Sequence, residues 1–371
     1  MRQEHDLAVY LDGCAGAFAQ AERAQEPMHE HLLQIAGMTI RLRIAGAALA
    51  EAALPALAHL LDGRGDGRGD GRGDLAPTAA AITLHLWDAA ATGVWPPRPP
   101  FTADDYRRYG QRAVAHDGVR SLMHAPTSGQ LFAYDRASRQ GYFWVEDAGQ
   151  LSIYERAAPA QTLFHWALGE FGWQIVHAAA VGNESGGVLL IGSTGAGKST
   201  TALSCLAQDG LRFLSDDKCL VRLEPQPQAF ALFSSAKIKG DMLPRLPHFR
   251  PLLAGWDDNY KAAKGLVFLH PTYAEHMVTS FPVKALLLPK VTHQTQAAIY
   301  PAPSAEVFCH LGPSTVIWLP GAEADNYRFV AEMARRLPCY RIELAGDLQA
   351  NMDAIRHWLE ETWGAKSQPL A

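Results

Sequence analysis

One nine-residue stretch restricts the fold of this 371-residue chain more than any other: GSTGAGKST, from Gly192 to Thr200. The apolar run 187–191 before it favours a buried strand, and residues 198–208 after it favour a helix that Gly210 ends. Glycines in such a turn let successive backbone N–H groups surround phosphate oxygens. The order of strand, GxxxxGK[ST] loop and helix therefore predicts a nucleotide phosphate site. The predicted binding residues are Gly192, Ser193, Thr194, Gly195, Ala196, Gly197, Lys198, Ser199 and Thr200.

Two side chains of this loop have predicted chemical roles. Lys198 is expected to reach the β- and γ-phosphates, and Ser199 is expected to ligate Mg²⁺. The expected cofactors are therefore ATP and Mg²⁺.

Two consecutive carboxylates, Asp216 and Asp217, follow the next predicted strand, residues 211–215. With the strand and helix at the loop, this strand predicts a βαβ unit whose two parallel strands end at one edge of the sheet, beside the loop. Phosphoryl transfer needs a metal partner and a group that accepts the proton of the attacking hydroxyl. Because neighbouring side chains of an extended segment point to opposite sides, we assign Asp216 as the base and Asp217 as the metal partner beside Ser199. The reverse assignment stays open.

A histidine, His177, lies in the apolar run 174–181 that precedes the loop strand. The turn GNESGG between the two runs predicts an antiparallel hairpin whose paired residue numbers sum to about 369. This register sets His177 opposite Gly192. A hydrogen bond from His177 would orient the base or raise its pKa.

Basic residues downstream supply a further predicted cation for the transferred group. Lys237, which directly follows a predicted strand, is our assignment, and Arg245, Lys261 and Lys264 are competitors. Two other polar clusters are interpreted as solvated segments rather than metal sites: Asp257–Asp258 and His29–His31.

Composition indicates which kinds of partner and which cellular compartment to expect. The chain is 48% hydrophobic and 19% charged with a formal net charge of −5, which favours neither nucleic acid nor an anionic membrane. Its five cysteines are odd in number and form no CxxC pair, which indicates reduced thiols. Charged residues near the N-terminus interrupt the continuous apolar run that a signal peptide needs, so no secretion signal is expected. We predict a cytoplasmic protein without a transmembrane helix. The oligomeric state stays open, with a homo-oligomer as one alternative.

The chain is long enough for two domains. We predict an α+β N-terminal domain over residues 1–165 and an α/β, mixed-sheet P-loop kinase domain over 166–371. The repeat GRGDGRGDGRGD, residues 63–74, is predicted to be a flexible loop because it has no apolar residue. In the second domain the run 315–319 is predicted to be a strand and residues 347–363 an amphipathic helix.

A histidine-bearing strand, a loop ending in GKST and a strand closing in two aspartates together resemble the catalytic domain of HPr kinase/phosphorylase, which has the phosphoenolpyruvate-carboxykinase-like nucleotide fold. The stretches HAAAV, FLSDDKC and FSSAKIK are most similar to the HPr-kinase-like enzymes found with lasso-peptide biosynthesis, which phosphorylate a serine near the peptide's C-terminus. The resemblance covers about residues 173–240. It implies roles only for His177, the loop, Asp216 and Asp217. The N-terminal region and the downstream glycine-rich signature of HPr kinases proper are not matched.

The leading hypothesis is an ATP- and Mg²⁺-dependent kinase that acts on a serine of a peptide or protein, with a lasso precursor peptide as the implied acceptor. One alternative keeps the chemistry but changes the acceptor to a small hydroxylated metabolite. Another is a non-catalytic module gated by nucleotide. Retention of His177, Asp216 and Asp217 together disfavours the module, because binding alone needs only the loop and a metal ligand.

Overall fold

The computed structural model of the chain describes residues 6–25, 28–61, 80–107, 111–207, 209–258, 263–292, 294–316, 319 and 323–363. The GRGD repeat, predicted to be a loop, and Lys261 lie outside these ranges. The chain divides into two compact units, Met1–Phe171 and Gly172–Ala371. The predicted boundary between residues 165 and 166 falls within a helix of the first unit, Gln161–Gly169.

The first unit is a mixed sheet with helices. The strands among its described residues are β1 (His29–Ile35), β2 (Met38–Ala45), β3 (Ile82–Asp88), β4 (Ala113–His116), β5 (Arg120–Ala125), β6 (Gln130–Asp135) and β7 (Gln140–Val145). Its helices are α1 (Leu7–Ala24), α2 (Ala47–Leu57), α3 (Ala89–Thr92), α4 (Ile153–Ala157) and α5 (Gln161–Gly169). The strand order is β1-β2-β3-β7-β6-β5-β4, in which β2, β3 and β7 are parallel to one another.

Alternation along β2 shows why this sheet forms. Ile40, Leu42 and Ile44 are fully buried, whereas Arg41 between the first two is exposed. A strand turns successive side chains to opposite faces, so this pattern buries one complete face. Helix α1 contributes its apolar stripe to a core with Trp87 of β3.

The second unit is built on a larger mixed sheet. Its strands are β8 (Gln174–Val176), β9 (Ala179–Asn183), β10 (Gly186–Leu190), β11 (Arg212–Ser215), β12 (Cys219–Arg222), β13 (Gln228–Ala231), β14 (Ser235–Lys239), β15 (Leu253–Asp257), β16 (Lys264–Phe268), β17 (Ser280–Val291), β18 (Ala298–Pro301) and β19 (Cys339–Leu344). Its helices are α6 (Lys198–Ser204), α7 (Ser304–Val316), α8 (Glu323–Arg336) and α9 (Leu348–Trp363).

The long strand β17 organises this sheet. The strand order is β11-β9-β10-β17-β13-β12-β8, and β19 also pairs with β17 and with β18. Strands β10 and β19 both run parallel to β17, so all three end at the same edge. Strands β14, β16 and β15 form a separate antiparallel sheet.

The two faces of the large sheet carry different helices. Val188 and Leu190 of β10 share a core with residues of α6 and α9. Leu189 and Ile191 point to the other face and share a core with residues of α7 and α8. A run of apolar residues without alternation is expected of a strand that is buried on both faces, and Val188–Ile191 is such a run.

The predicted βαβ unit is corrected in one respect. Strands β10 and β11 both pair antiparallel with β9, which lies between them. They therefore run in the same direction and end at the same edge, as predicted, but they are not neighbours. The hairpin partner β9 pairs with β10 along one edge and with β11 along the other.

Three other predicted elements differ in extent or type. Run 174–181 is interrupted at His177 and Ala178, which lie between β8 and β9. The helix predicted for 198–208 is α-helical only to Ser204 and continues as a 3-10 turn to Ala207.

The strand predicted for 315–319 is wrong: Thr315 and Val316 form the last turn of α7. Val307, Leu311 and Thr315 are buried at four-residue spacing, so packing of a helical face overrides the local β-propensity. The helix predicted for the C-terminal region is confirmed as α9.

Two further observations concern the cysteines and the helices. All five cysteines are free. Within the described ranges, the helices include none with the length and apolar character that crossing a membrane requires.

Candidate active site

The loop between β10 and α6 adopts a backbone that requires glycine. Gly192, Gly195 and Gly197 have φ values of +151°, +92° and +104°. A Cβ atom on Gly197 would lie 2.5 Å from Cδ1 of Leu344. Left-handed φ and close packing together explain why the motif has glycine at these positions.

Lys198 folds back across this loop. Its Nζ donates to the carbonyl oxygens of Gly192 at 2.5 Å and Ser193 at 3.3 Å, and the residue is buried. Burial lowers the pKa of Lys198, and the charges of Asp217 and Asp216 oppose that shift. The loop thus holds the ammonium group of Lys198 against its own carbonyl oxygens, with the two carboxylates nearby.

Asp216 directly follows β11 and is 2% exposed. Its Oδ2 accepts from the backbone N–H of Lys237 at 2.9 Å, whereas its buried Oδ1 has no hydrogen-bond partner within the described part of the chain. Burial raises the pKa of Asp216, while the Lys237 charge and the Ser199 hydroxyl act in the opposite direction. A buried carboxylate oxygen without a partner, beside a hydroxyl, needs a further positive partner to be stable as an anion.

Asp217 has a different set of partners. Its Oδ1 lies 2.9 Å from Nε2 of His177, and its Oδ2 lies 3.0 Å from Nζ of Lys237 and 3.7 Å from Nζ of Lys218. Burial alone would raise the pKa of Asp217, but Lys237, Lys218 and His177 together hold it well below its usual value. Asp217 is therefore an ionised carboxylate at neutral pH.

His177 lies at the break between β8 and β9 and bridges to α7. Its Nδ1 is 3.1 Å from the carbonyl oxygen of Ser314, and its backbone N–H donates to Oγ1 of Thr315 at 3.2 Å. A carbonyl oxygen only accepts, so Nδ1 carries a proton. Nε2, on the other side of the ring, faces Oδ1 of Asp217. His177 thus connects Asp217 to α7, which fixes the orientation of the imidazole ring.

The hairpin register predicted from the turn is confirmed. Asn183 pairs with Gly186 and Ala179 with Leu190, so the paired residue numbers sum to 369. His177 lies just beyond the last pair and reaches the site from the end of β9.

A cavity of about 270 Å³ brings the predicted residues together. It lies on the α6 and α9 side of the sheet. The predicted site residues that line it are His177, Ser193, Thr194, Gly195, Ala196, Gly197, Lys198, Ser199, Thr200, Asp216, Asp217 and Lys237. Gly192 does not line this cavity, although its carbonyl holds Lys198.

The cavity is rich in cations. Lys237, Lys239, Lys264 and Arg245 line it together with Lys198, against three carboxylates: Asp216, Asp217 and Asp241. Two of the competitors for Lys237, Arg245 and Lys264, are therefore also present, and Arg245 donates to the carbonyl oxygen of Gly346. Such an excess of positive charge suits a polyanionic ligand.

Sequence reasoning missed Lys218. It directly follows the two aspartates, and burial lowers its pKa to about 8. The triplet DDK offered a signal, because a lysine so close to two carboxylates is placed to compensate one of them. Its use as a partner of Asp217 depends on the turn after β11, which the pattern does not specify.

The residues of the two clusters interpreted as solvated are not part of this cavity's lining. Asp257 is in β15 opposite Lys264, and Glu30 forms ion pairs with Arg41 and Arg43 on the neighbouring strand. Within the described ranges, no group of three or more His, Cys, Asp or Glu side chains is arranged to hold a metal ion.

Of three comparisons with known proteins, only the one with solved structures finds matches. No family model matches the chain, and no curated protein matches it. A solved structure that does match is the Hpr(Ser) kinase/phosphatase from Coxiella burnetii, at 12% sequence identity and a TM-score of 0.29, over 51% of this chain and 98% of that chain. At this TM-score we draw nothing from the similarity, and we infer the function from contacts within the chain.

Proposed function

We propose that the chain is an ATP- and Mg²⁺-dependent kinase that transfers the γ-phosphoryl group of ATP to a serine hydroxyl of a peptide or protein. The observation that carries the proposal is the position of Asp217. It is an ionised carboxylate held by His177 and Lys237 in the same cavity as the glycine-rich loop and Lys198. A module that only binds nucleotide has no use for this arrangement.

The triphosphate is expected to bind at the loop. Backbone N–H groups of the glycine-rich turn and the ammonium of Lys198 offer donors, and Lys237, Lys264 and Arg245 add positive charge. A triphosphate competes with Asp217 for Lys237, because both are anions within reach of the same ammonium group. Nucleotide binding would therefore release one oxygen of Asp217 from its ion pair.

The residues present suit a magnesium ion at Ser199 and Asp216. Mg²⁺ prefers oxygen ligands, and the buried Oδ1 of Asp216 and the hydroxyl of Ser199 beside this side chain are two such oxygens. The ion, when bound, would neutralise charge that develops on the transferred group. This exchanges the roles assigned from the sequence, since Asp216 becomes the metal partner and Asp217 the base.

Asp217 is the better proton acceptor on geometric grounds. Its Oδ1 is oriented by His177, whereas Asp216 is 2% exposed and offers an incoming hydroxyl little access. In the reaction the serine oxygen forms a bond to the γ-phosphorus, the bond from that phosphorus to the β-phosphate oxygen breaks, and the serine proton passes to Asp217. His177 positions the carboxylate and does not itself touch the substrate.

The acceptor is the least constrained part of the proposal. A peptide serine follows from the resemblance of FLSDDKC and FSSAKIK to lasso-peptide kinases, so a lasso precursor peptide is the first acceptor to test. A small hydroxylated metabolite is the competing acceptor. Five free cysteines support a reducing, cytoplasmic setting for the enzyme.

The test is transfer of label from γ-labelled ATP with Mg²⁺ to serine peptides and, in parallel, to free serine and other hydroxylated metabolites. We expect phosphopeptide from the wild type, loss of about 10²–10⁴-fold in kcat for Asp217→Asn, and a raised Mg²⁺ requirement for Asp216→Asn. Asp325→Asn, an exposed residue of α8, is the matched control. Labelled metabolite without labelled peptide would reject the peptide acceptor. Nucleotide binding without transfer to any acceptor would reject the kinase.

A further inference from the structure

Three lysines form a row on one face of the small antiparallel sheet. Lys237 and Lys239 are two residues apart on β14, so their side chains point to the same side of the strand. Lys264 of β16 pairs directly with Lys239 and therefore shares that face. All three residues line the cavity that contains the glycine-rich loop. The sheet thus gives this cavity a cationic wall.

The row extends from the carboxylates to the loop. At one end, the backbone N–H of Lys237 donates to Oδ2 of Asp216 at 2.9 Å, and Nζ of Lys237 lies 3.0 Å from Oδ2 of Asp217. At the other end, Nζ of Lys239 lies 3.9 Å from the position that a Cβ atom on Gly195 would take. Two residues of a strand span about 7 Å. Strand β14 therefore connects the proposed base with the phosphate loop over about the distance that a transferred group has to bridge.

Lys239 differs from its two neighbours in the partners of its charge. Lys237 has Asp217 as its partner, and Lys264 lies opposite Asp257 on β15. In the part of the chain that the structure describes, no carboxylate lies within 4.0 Å of Nζ of Lys239. Like charges directly opposite each other destabilise a pair of strands, and Lys239 is half-buried opposite another lysine. An anion bound at Lys239 would offset this repulsion.

The same comparison indicates which lysine a phosphate group meets at the lower cost. A phosphate that binds Lys237 has to break the ion pair with Asp217. A phosphate that binds Lys239 breaks no ion pair among the described residues, and it lies beside the loop whose backbone N–H groups are its expected donors. Lys239 is therefore the cation of this wall that is available to the nucleotide.

The cavity also indicates which phosphate lies there. Leu344 and Leu348 provide apolar contacts for the base, and Cδ1 of Leu344 would be 2.5 Å from a Cβ atom on Gly197. Asp217, as the proton acceptor, has to lie beside the terminal phosphate, because the hydroxyl attacks the γ-phosphorus. A nucleotide with its base at the leucines and its last phosphate near Asp217 has that phosphate at the β14 wall.

We propose that Lys239 is a catalytic residue that binds the γ-phosphoryl group and stabilises the negative charge that develops on it during transfer. Lys198 holds the phosphates from the loop, and Lys239 holds the γ-phosphoryl group from the opposite wall. The ammonium group of Lys239 keeps its protons throughout, since the serine proton passes to Asp217. After transfer, ADP lacks the group that Lys239 binds, so the loss of this contact favours release of ADP.

The inference rests on the proposed kinase activity for the transfer step, but the contact with the γ-phosphate can be measured without transfer. Isothermal titration calorimetry of the full chain with Mg²⁺ gives the Kd of ADP and of the β,γ-imido analogue of ATP. Lys239→Met removes the charge, and Lys239→Arg keeps it. The control is Lys284→Met, which removes a strand lysine that does not line the cavity. In parallel, kcat is measured with γ-labelled ATP and the same set of acceptors as above.

We expect Lys239→Met to bind the imido analogue about tenfold more weakly and ADP less than about twofold more weakly than the wild type. Retained binding of ADP shows that the variant is folded. Lys239→Arg should recover most of the affinity for the analogue, and Lys284→Met should bind both nucleotides like the wild type. The kcat of Lys239→Met should fall about 10²–10³-fold, as for the loss of one donor to a developing charge.

An equal loss of affinity for both nucleotides, or no loss for either, would overturn the assignment of Lys239 to the γ-phosphate. Transfer by Lys239→Met with the kcat of the wild type would also reject it and would leave the kinase standing. A loss that is selective for the analogue, in a wild type that phosphorylates no acceptor, would support the contact of Lys239 and reject the kinase.

Discussion

Replacing Lys237 with methionine tests how the site keeps Asp217 ionised. The Nζ atom of Lys237 is 3.0 Å from Oδ2 of Asp217, and the two side chains are 10% and 28% exposed. At an effective dielectric constant of about 20, two unit charges at that separation attract by about 5 kcal/mol. The cost of removing both groups from water cancels much of this attraction.

Breaking a buried pair by removing one partner costs about 3–5 kcal/mol when the other charge is left alone. Asp217 keeps His177 and Lys218, and the backbone N–H of residue 237 still reaches Asp216, so a smaller loss is expected. We predict that Lys237→Met lowers the free energy of unfolding by about 2 kcal/mol at pH 7. Urea denaturation measures this difference, with Lys284→Met as the control.

The pH dependence of that difference identifies its source. The pKa of Asp217 is held well below the usual 3.8, so its ion pairs stabilise the fold above that pH and are lost as pH falls below it. The gap between wild type and Lys237→Met should therefore be constant from about pH 5 to 7 and should close as pH falls below about 4. A gap that is absent at pH 7, or one that does not change down to pH 3, would refute the assignment of Lys237 as the partner that keeps Asp217 charged.

Two further predictions concern the loop and Lys218. Gly197→Ala should lower the free energy of unfolding by about 1–3 kcal/mol and abolish nucleotide binding, because φ is +104° and the added Cβ would meet Leu344. Thermal unfolding and nucleotide titration measure the two effects. The control is Gly169→Ala, which has open space around the added Cβ and should unfold like the wild type. Burial lowers the pKa of Lys218 from 10.5 to about 8. Its charge therefore lowers the free energy of unfolding below pH 8, and this loss disappears between about pH 8 and 10 as the buried ammonium group releases its proton. Relative to Lys218→Met, the wild type should therefore gain unfolding free energy over that range, by at most about 3 kcal/mol, and a parallel pH dependence of the two proteins would contradict the buried charge.

The parts of the site that the sequence predicted are those that local chemistry dictates. The glycine spacing of the loop follows from left-handed φ values within a few residues, and Asp216 and Asp217 follow a strand that ends at the same sheet edge. The position of His177 beside the loop follows from a hairpin whose register is set by one turn, and that register is confirmed. Each inference spans one supersecondary unit, in which covalent connection restricts the geometry.

What the sequence did not predict depends on contacts between distant segments. Strand β9 lies between β10 and β11 because two antiparallel pairings are formed at once, and a βαβ pattern alone does not reveal the middle strand. Thr315 lies in a helix and not in the predicted strand, because α7 shares a core with the sheet. The carbonyl that fixes His177 belongs to Ser314, which is 137 residues away in the chain. No periodicity in either segment indicates this contact.

That contact also explains why the two aspartates are not equivalent. Both leave the same strand end, and alternation of side chains sends them to opposite sides, so the sequence specifies a division but not its direction. The direction is set by what lies on each side: on one, the Ser199 hydroxyl and an otherwise unpartnered oxygen of Asp216; on the other, His177 held by α7. Ser314 and Thr315 of α7 therefore set the orientation of His177 and, through it, that of Asp217.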